Sequence, residues 1–310
     1  MGTVDIDTIL TGLCSSQRLQ RERHLLQVKN VDEQQKQQLV LATLTKLRSD
    51  SLPWEASSGL LSAAVHLLPH FSDTQLEATY LLALSYLDHD ESRVRQSSGE
   101  LLATTVRLCQ SPTVFSSVYH EVIALIKRDL ARDPSAAELP QNERVRQKII
   151  DGQKVRGLSS KDIFHESAGW RHLETSMSAL RKLCEINEVN KLVDGDLFDL
   201  LRECTCHSNR FIREASFYIA SAVLSASVQG GLINDFARLI LAGISDNWSQ
   251  VRMASSIAAR SFLFSLSETE RAQFYSMLLP PICINRYYIA AGVRIHNQGN
   301  LRFRTTIVQQ

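Results

Sequence analysis

The sequence predicts an all-α protein built as a solenoid of about six stacked helical hairpins. Three observations point there. First, a phrase recurs: Ser-Arg-Val-Arg at 92–95, Arg-Phe-Ile-Arg at 210–213 and Ser-Gln-Val-Arg at 249–252 each follow a short polar turn. Two residues past the final Arg stands a small residue, Ser97, Ala215 or Ala254. Second, the residues that follow have helical spacing: Ile212, Ala215, Ile219, Ala222 and Val223 share one face. Third, strand-type alternation is almost absent. A phrase that returns at intervals of about forty residues marks a repeat array.

The elements follow in order. Residues 4–29 predict a helix pair, so 1–30 is assigned as an N-terminal capping segment. Further pairs are expected at 33–48 and 53–68, 73–87 and 92–109, 112–131 and 166–185, 194–205 and 209–226, 231–244 and 248–265, and 268–278 and 284–296. Ser72-Asp73 and Ser267-Glu268 supply N-cap chemistry, and Pro112 suits a first helical turn. Leu76, Tyr80, Leu84 and Leu87, like Leu232, Phe236, Ile240 and Gly243, give first helices the same one-sided face. The array then spans 31–296, and 297–310 reads as a tail.

Arg95, Arg213 and Arg252 hold one position of the phrase, with Glu55, Arg171 and Ile289 as weaker equivalents. The interval from Arg95 to Arg171 is 76 residues, against 37 to 42 elsewhere. The segment 132–163, with Pro134, Pro140, Gly152, Gly157 and mixed charge, supplies nearly all of that excess. It is expected to be an insertion between two helices of one repeat, flexible, with room for a short helix at 142–151.

Composition narrows the function classes. With 44% hydrophobic and 22% charged residues, most of the chain is expected to be ordered. The net charge of +1, from 34 basic and 33 acidic residues, argues against a dedicated nucleic-acid binder. Six dispersed cysteines suit reduced thiols in a cytoplasmic or nuclear protein. The longest uncharged stretch, 215–234, is broken by serines and Gly230-Gly231, so no membrane insertion is expected.

The Val-Arg, the small residue after it and the turn acid before it together resemble HEAT repeats of the armadillo-like superfamily. Val94, Arg95 and Ser97 follow Asp88 or Asp90, and Val251, Arg252 and Ala254 follow Asp246. Ile212, Arg213 and Ala215 follow a His-Ser-Asn turn without an acid. The resemblance spans residues 33–298. It implies a right-handed α–α superhelix, pairing of these arginines with turn acids along the array, and second helices that line the concave side. The signature residues Val94, Arg95, Ile212, Arg213, Ala215, Asp246, Val251, Arg252 and Ala254 are therefore read as structural.

A hairpin array presents a long surface, so the expected function is a non-catalytic protein–protein interaction scaffold or adaptor. The candidate partner-binding residues lie on polar faces of second helices: Arg93, Gln96 and Glu100, then Arg210 and Glu214, then Arg252, Ser256 and Arg260. Other proteins are the expected partners. No catalytic residue, cofactor, metal or small-molecule substrate is expected. Two other readings stay open. His120-Glu121 and His165-Glu166 resemble the iron-binding pairs of deoxyhypusine hydroxylase, a HEAT-like metal-dependent hydroxylase, but two pairs in unmatched helix positions do not complete a symmetric site. A nucleic-acid reading rests on Arg144, Arg146, Lys148, Lys154, Arg156 and Lys161, with no aromatic residue between 142 and 163 to stack bases. Cys204-Thr205-Cys206-His207 lacks the further ligand that structural zinc requires, and Cys204 shares an apolar stripe with Leu197 and Leu201. Tyr287, Tyr288 and Ile295 mark an apolar edge near the C-terminal end as a second contact candidate.

Overall fold

A computed structural model of the chain describes residues 5–49, 51–131, 170–186, 195–226 and 231–307. Among them are fourteen α-helices, one 3-10 turn at Leu68–His70, and no strand. The helices are α1 Ile6–Leu13, α2 Arg18–Asn30, α3 Glu33–Leu47, α4 Trp54–Leu67, α5 Asp73–Tyr86, α6 Ser92–Cys109 and α7 Pro112–Leu130. They continue as α8 Trp170–Cys184, α9 Gly195–Thr205, α10 Arg210–Ala226, α11 Ile233–Ile244, α12 Ser249–Ser265, α13 Glu268–Asn285 and α14 Ala291–Ile307. The order is the one expected, with α1 and α2 as the N-terminal pair. The 132–163 insertion lies outside the described residues.

Local chemistry sets many of the ends. Asp32, Ser72 and Ser267 cap α3, α5 and α13, each in a capping box with Gln35, Gln75 or Glu270. Pro112 opens α7. Helix α6 ends on Gln110 in the left-handed region, with φ 48°.

The last pair departs from expectation. The bounds expected for this pair, 268–278 and 284–296, leave Pro280 and Pro281 between two helices, yet α13 runs through both to Asn285. Each proline removes a backbone donor, but the chain on both sides is anchored. Leu278 and Ile282 are fully buried, and Asn285 Nδ2 donates to the Ile244 carbonyl at 2.9 Å. Helix α14 therefore starts later, at Ala291, and runs through Ile307, across the boundary drawn before the 297–310 tail.

The register of the phrase shifts with it. In the second helices that carry the phrase, its Arg is the fourth helical residue: Arg95, Arg213 and Arg252. In α14 that position is Arg294, preceded by Val293, not Ile289. In α2 it is Arg21 and in α4 Ser57, which replaces the Glu55 assignment.

The chain divides into two compact units, residues 1–124 with 178–183 and residues 125–177 with 184–310. In the N-terminal unit, second helices α2, α4 and α6 pack in succession, with α1, α3 and α5 against them. Leu39, Leu60, Leu61, Val94 and Leu101 are fully buried between these layers. In the C-terminal unit, α10, α12 and α14 pack in succession and α9, α11 and α13 form the other layer. Phe217, Phe236 and Phe262 fill it, with Phe236 edge-on to Phe198 at 5.1 Å and Phe262 edge-on to Phe274 at 5.2 Å. Within each unit the helices named here thus bury one face against their sequence neighbours, as repeat architectures do.

Candidate interaction surface

The recurring Arg closes the turn of its own hairpin. Arg95 Nη1 donates to the carbonyls of His89 and Asp90 at 2.7 and 2.8 Å. Arg213 Nη1 does the same to His207 and Ser208 at 2.8 and 2.9 Å, and Arg294 Nη1 to Tyr288 and Ile289 at 3.2 and 3.0 Å. Arg21 Nη1 reaches Ser15 and Ser16 at 2.7 and 3.0 Å. Arg252 uses Nε and Nη2 on Asp246 and Ser245. These are carbonyls at the C-terminal ends of first helices and their turns, which have no partner inside the helix. A planar guanidinium with several donors suits them better than an ammonium. Where Ser57 occupies the position, the Tyr86 hydroxyl donates to the Leu47 carbonyl at 2.8 Å instead.

The same arginines also reach the next hairpin. Arg213 Nε and Nη2 grip both oxygens of Asp246 at 2.9 and 3.3 Å. Arg252 Nη1 donates to Asn285 Oδ1 at 2.8 Å, an amide where the earlier turn has a carboxylate. Asp246 Oδ1 in turn accepts from the Trp248 amide at 2.8 Å, and His89 and His207 accept through Nδ1 from the amides two residues on, both at 3.0 Å.

A buried serine three residues past the Arg adds to the packing. Ser98 Oγ donates to Ala83, Ser216 Oγ to Ile212 at 2.8 Å and Ser255 Oγ to Ile240 at 2.8 Å. All three are fully buried. The identical residue in all three copies was a signal present in the sequence and not used.

The candidate surface residues separate into two groups. Arg93, Gln96 and Glu100 on α6 are exposed. Glu100 pairs with Lys182, and the Arg93 guanidinium lies over the Trp54 ring at 5.0 Å. Beside them, the Ser97 hydroxyl sits 3.4 Å from Ser58 and 3.3 Å from Ser62 on α4, so two adjacent second helices share a hydroxyl-lined floor. On α10, Arg210 and Glu214 are half-buried. Burial raises the Glu214 carboxyl, and the neighbouring charge of Glu174 raises it further.

On α12 the candidate side chains are engaged within the fold. Ser256 is fully buried: its hydroxyl donates to the Arg252 carbonyl at 2.7 Å and accepts from Asn297 Nδ2 at 2.9 Å. Arg252 serves the turn, and Arg260 donates to Asn300 Oδ1 at 2.8 Å and to the His296 carbonyl at 3.2 Å. The polar face of α12 is covered by α14, which starts later than expected and brings Asn297 and Asn300 against it.

Of the metal candidates, His120 Nδ1 lies 2.6 Å from the Ser116 carbonyl, and His165-Glu166 lies outside the described residues. Cys204 is fully buried and burial pushes its thiol up to about 12, so it stays protonated, while Cys206 is exposed. Among the described residues no group of three His, Cys, Asp or Glu side chains is placed to hold a metal ion. Nor is any helix among them long and apolar enough to cross a membrane.

Known structures place this geometry. The chain superposes on the "Kap95:Nup1 complex" with a TM-score of 0.65 over 92% of its length at 14% identity. The fold is HEAT/armadillo-like. The chain spans 33% of the length of that neighbour. A designed armadillo repeat protein in complex with peptide (KR)4 aligns with 84% of the HEAT/armadillo-like chain at 10% identity and a TM-score of 0.44. No protein-family model matches the sequence, and no curated protein does.

Proposed function

We propose that this chain is a non-catalytic scaffold or adaptor of the cytoplasm or nucleus that binds another protein along the second-helix face of its N-terminal unit. The observation that carries the reading is the contrast between the two sets of candidate residues. On α12 the polar side chains are consumed by internal hydrogen bonds. On α4 and α6 a floor of Ser58, Ser62 and Ser97 lies beside the exposed groups of Arg93, Gln96 and Glu100. A small-residue floor with a mixed-charge rim suits a partner helix or extended segment, whose side chains approach the floor while its charges meet the rim.

The test is affinity purification of the full chain with mass spectrometry, alongside Arg93→Glu/Gln96→Arg/Glu100→Lys. The variant should keep its helical circular dichroism and lose the principal partner. Retention of every partner by a folded variant sinks the assignment of this face.

A further inference from the structure

In the C-terminal unit the turn that joins α13 to α14 holds large apolar side chains out in solvent, and the scaffold reading does not use them. Ile284, Tyr287 and Ile289 are 70%, 78% and 87% exposed. Ile295, in the second turn of α14, is exposed beside them, and so is Trp248 on the turn between α11 and α12. The two turns are joined by Arg252, which stacks on Tyr288 at 4.7 Å and donates to Asn285. These side chains form a protruding tip, not the lining of a groove.

The tip is also positive. From Arg271 to Ile307 the chain carries five arginines, no lysine and no carboxylate side chain. The acids of α13, Glu268 and Glu270, stand in its first turn, about 22 Å of helix away. Asp246 on the neighbouring turn is held by Arg213. Arg286 is exposed and lies over the Tyr287 ring at 5.4 Å. Arg252 and Arg294 spend N–H groups on the carbonyls of Ser245, Asp246, Tyr288 and Ile289 and on the Asn285 amide oxygen. Those acceptors are neutral, so the bonds orient these cations without cancelling their charge. The corresponding turns of the N-terminal unit, 14–21, 48–57 and 88–95, carry five arginines against five carboxylates, so a one-sided charge is not a requirement of the hairpin.

We propose that this tip, Ile284, Arg286, Tyr287 and Ile289 with Trp248 and Ile295 beside it, docks the chain on the surface of an anionic lipid bilayer. The contact is peripheral, in keeping with helices too short or too polar to cross. A bilayer carrying acidic lipids attracts cations through its surface potential, so it reads charge and does not require free guanidinium N–H groups. Aliphatic side chains such as Ile284 and Ile289 bury at the boundary between headgroups and acyl chains, and Tyr and Trp rings favour the headgroup level. With few cations and few apolar side chains the contact is reversible. Single-stranded nucleic acid fits less well, because it offers nothing for Ile284 and Ile289 to enter and Arg252 and Arg286 already stack on Tyr288 and Tyr287. The site goes beyond the scaffold reading and uses none of Arg93, Gln96 and Glu100, so either can fall without the other.

Flotation of the full chain with lipid vesicles tests this. One set of vesicles is phosphatidylcholine alone, and the other contains about 30% phosphatidylserine. The chain should float with the phosphatidylserine vesicles, less so as salt is added, and stay behind with phosphatidylcholine. Ile284→Ser/Ile289→Ser should weaken binding about tenfold and Arg286→Gln about fivefold, with helical circular dichroism unchanged. Arg18→Gln/Leu19→Ser, which removes a cation and an exposed apolar side chain from the N-terminal unit, should change binding by less than about twofold. No flotation with phosphatidylserine, equal flotation with both vesicles, or equal weakening by the control and the tip variants each overturns the proposal.

Discussion

At residue 207 an imidazole takes the role that a carboxylate takes at 246. His207 Nδ1 accepts the Asn209 amide at 3.0 Å, and Asp246 Oδ1 accepts the Trp248 amide at 2.8 Å. Protonation of Nδ1 removes that acceptor. Burial holds the His207 pKa below its ordinary value of 6.5, and the Arg213 guanidinium lowers it further. A base whose folded pKa is depressed contributes stability that is complete above about 6.5 and is lost as pH falls toward the folded value. His207→Asp keeps an acceptor for the Asn209 amide and gives Arg213 a second carboxylate. The melting temperature of the wild type should therefore fall between pH 7 and pH 5 by more than that of His207→Asp, measured by calorimetry. His66 and His296, whose pKa values burial also lowers, contribute equally to both proteins and cancel in the comparison. A difference between the two proteins that does not change with pH would remove His207 as the titrating group. At this scale the sequence was legible where the phrase was spelled in full. Read from sequence, Ile289 takes the place of Arg294 because Pro280-Pro281 reads as a stop when burial cannot be seen. Arg21 was missed because Gln20, not Val, precedes it.

Helix positions were readable for a different reason: apolar periodicity and N-cap chemistry are local properties. How closely two helices approach is not local, and the glycines show it. A Cβ on Gly243 of α11 would lie 2.2 Å from the Phe217 ring, and Phe217 is 1% exposed and has no room to swing away. On Gly99 of α6 the nearest atom would be Ala179 Cβ at 3.5 Å, an ordinary contact. Replacing a helical Gly by Ala gains about 1 kcal/mol of helix propensity, whereas overpacking a rigid core costs about 1–3 kcal/mol. Gly99→Ala should therefore raise the unfolding free energy by up to about 1 kcal/mol, and Gly243→Ala should lower it by a net of up to about 2 kcal/mol. Urea denaturation distinguishes the signs. Stabilisation by both substitutions would show that α10 and α11 are not in close contact at Gly243. The candidate surface was partly legible for the same reason. Arg93, Gln96 and Glu100 keep their polar face open, whereas the fate of Ser256 and Arg260 depends on a helix 40 residues away that the sequence reading started too early.

The whole molecule follows from how short-ranged these contacts are. Most of the helix contacts among the described residues join elements one or two apart in sequence, so the repeat period alone was enough to read the fold class. It is silent on partner identity, because arrays with the same joints differ only in exposed side chains. Short-ranged contact also has a mechanical consequence. Ala254 is fully buried on α12, which packs against α10, α11 and α14. Ala254→Glu forces a carboxylate into that site without a partner, a cost of several kcal/mol. In a nearest-neighbour array the loss stays in the C-terminal unit. Trp54 reports on the N-terminal unit and Trp248 on the C-terminal one once Trp170 is replaced by Phe. In proteins that retain only Trp54 or only Trp248, Ala254→Glu should lower the urea midpoint reported by Trp248 and leave that reported by Trp54 in place. An equal fall at both tryptophans would mean that the two units unfold as one cooperative block, and the nearest-neighbour description of this chain would have to be given up.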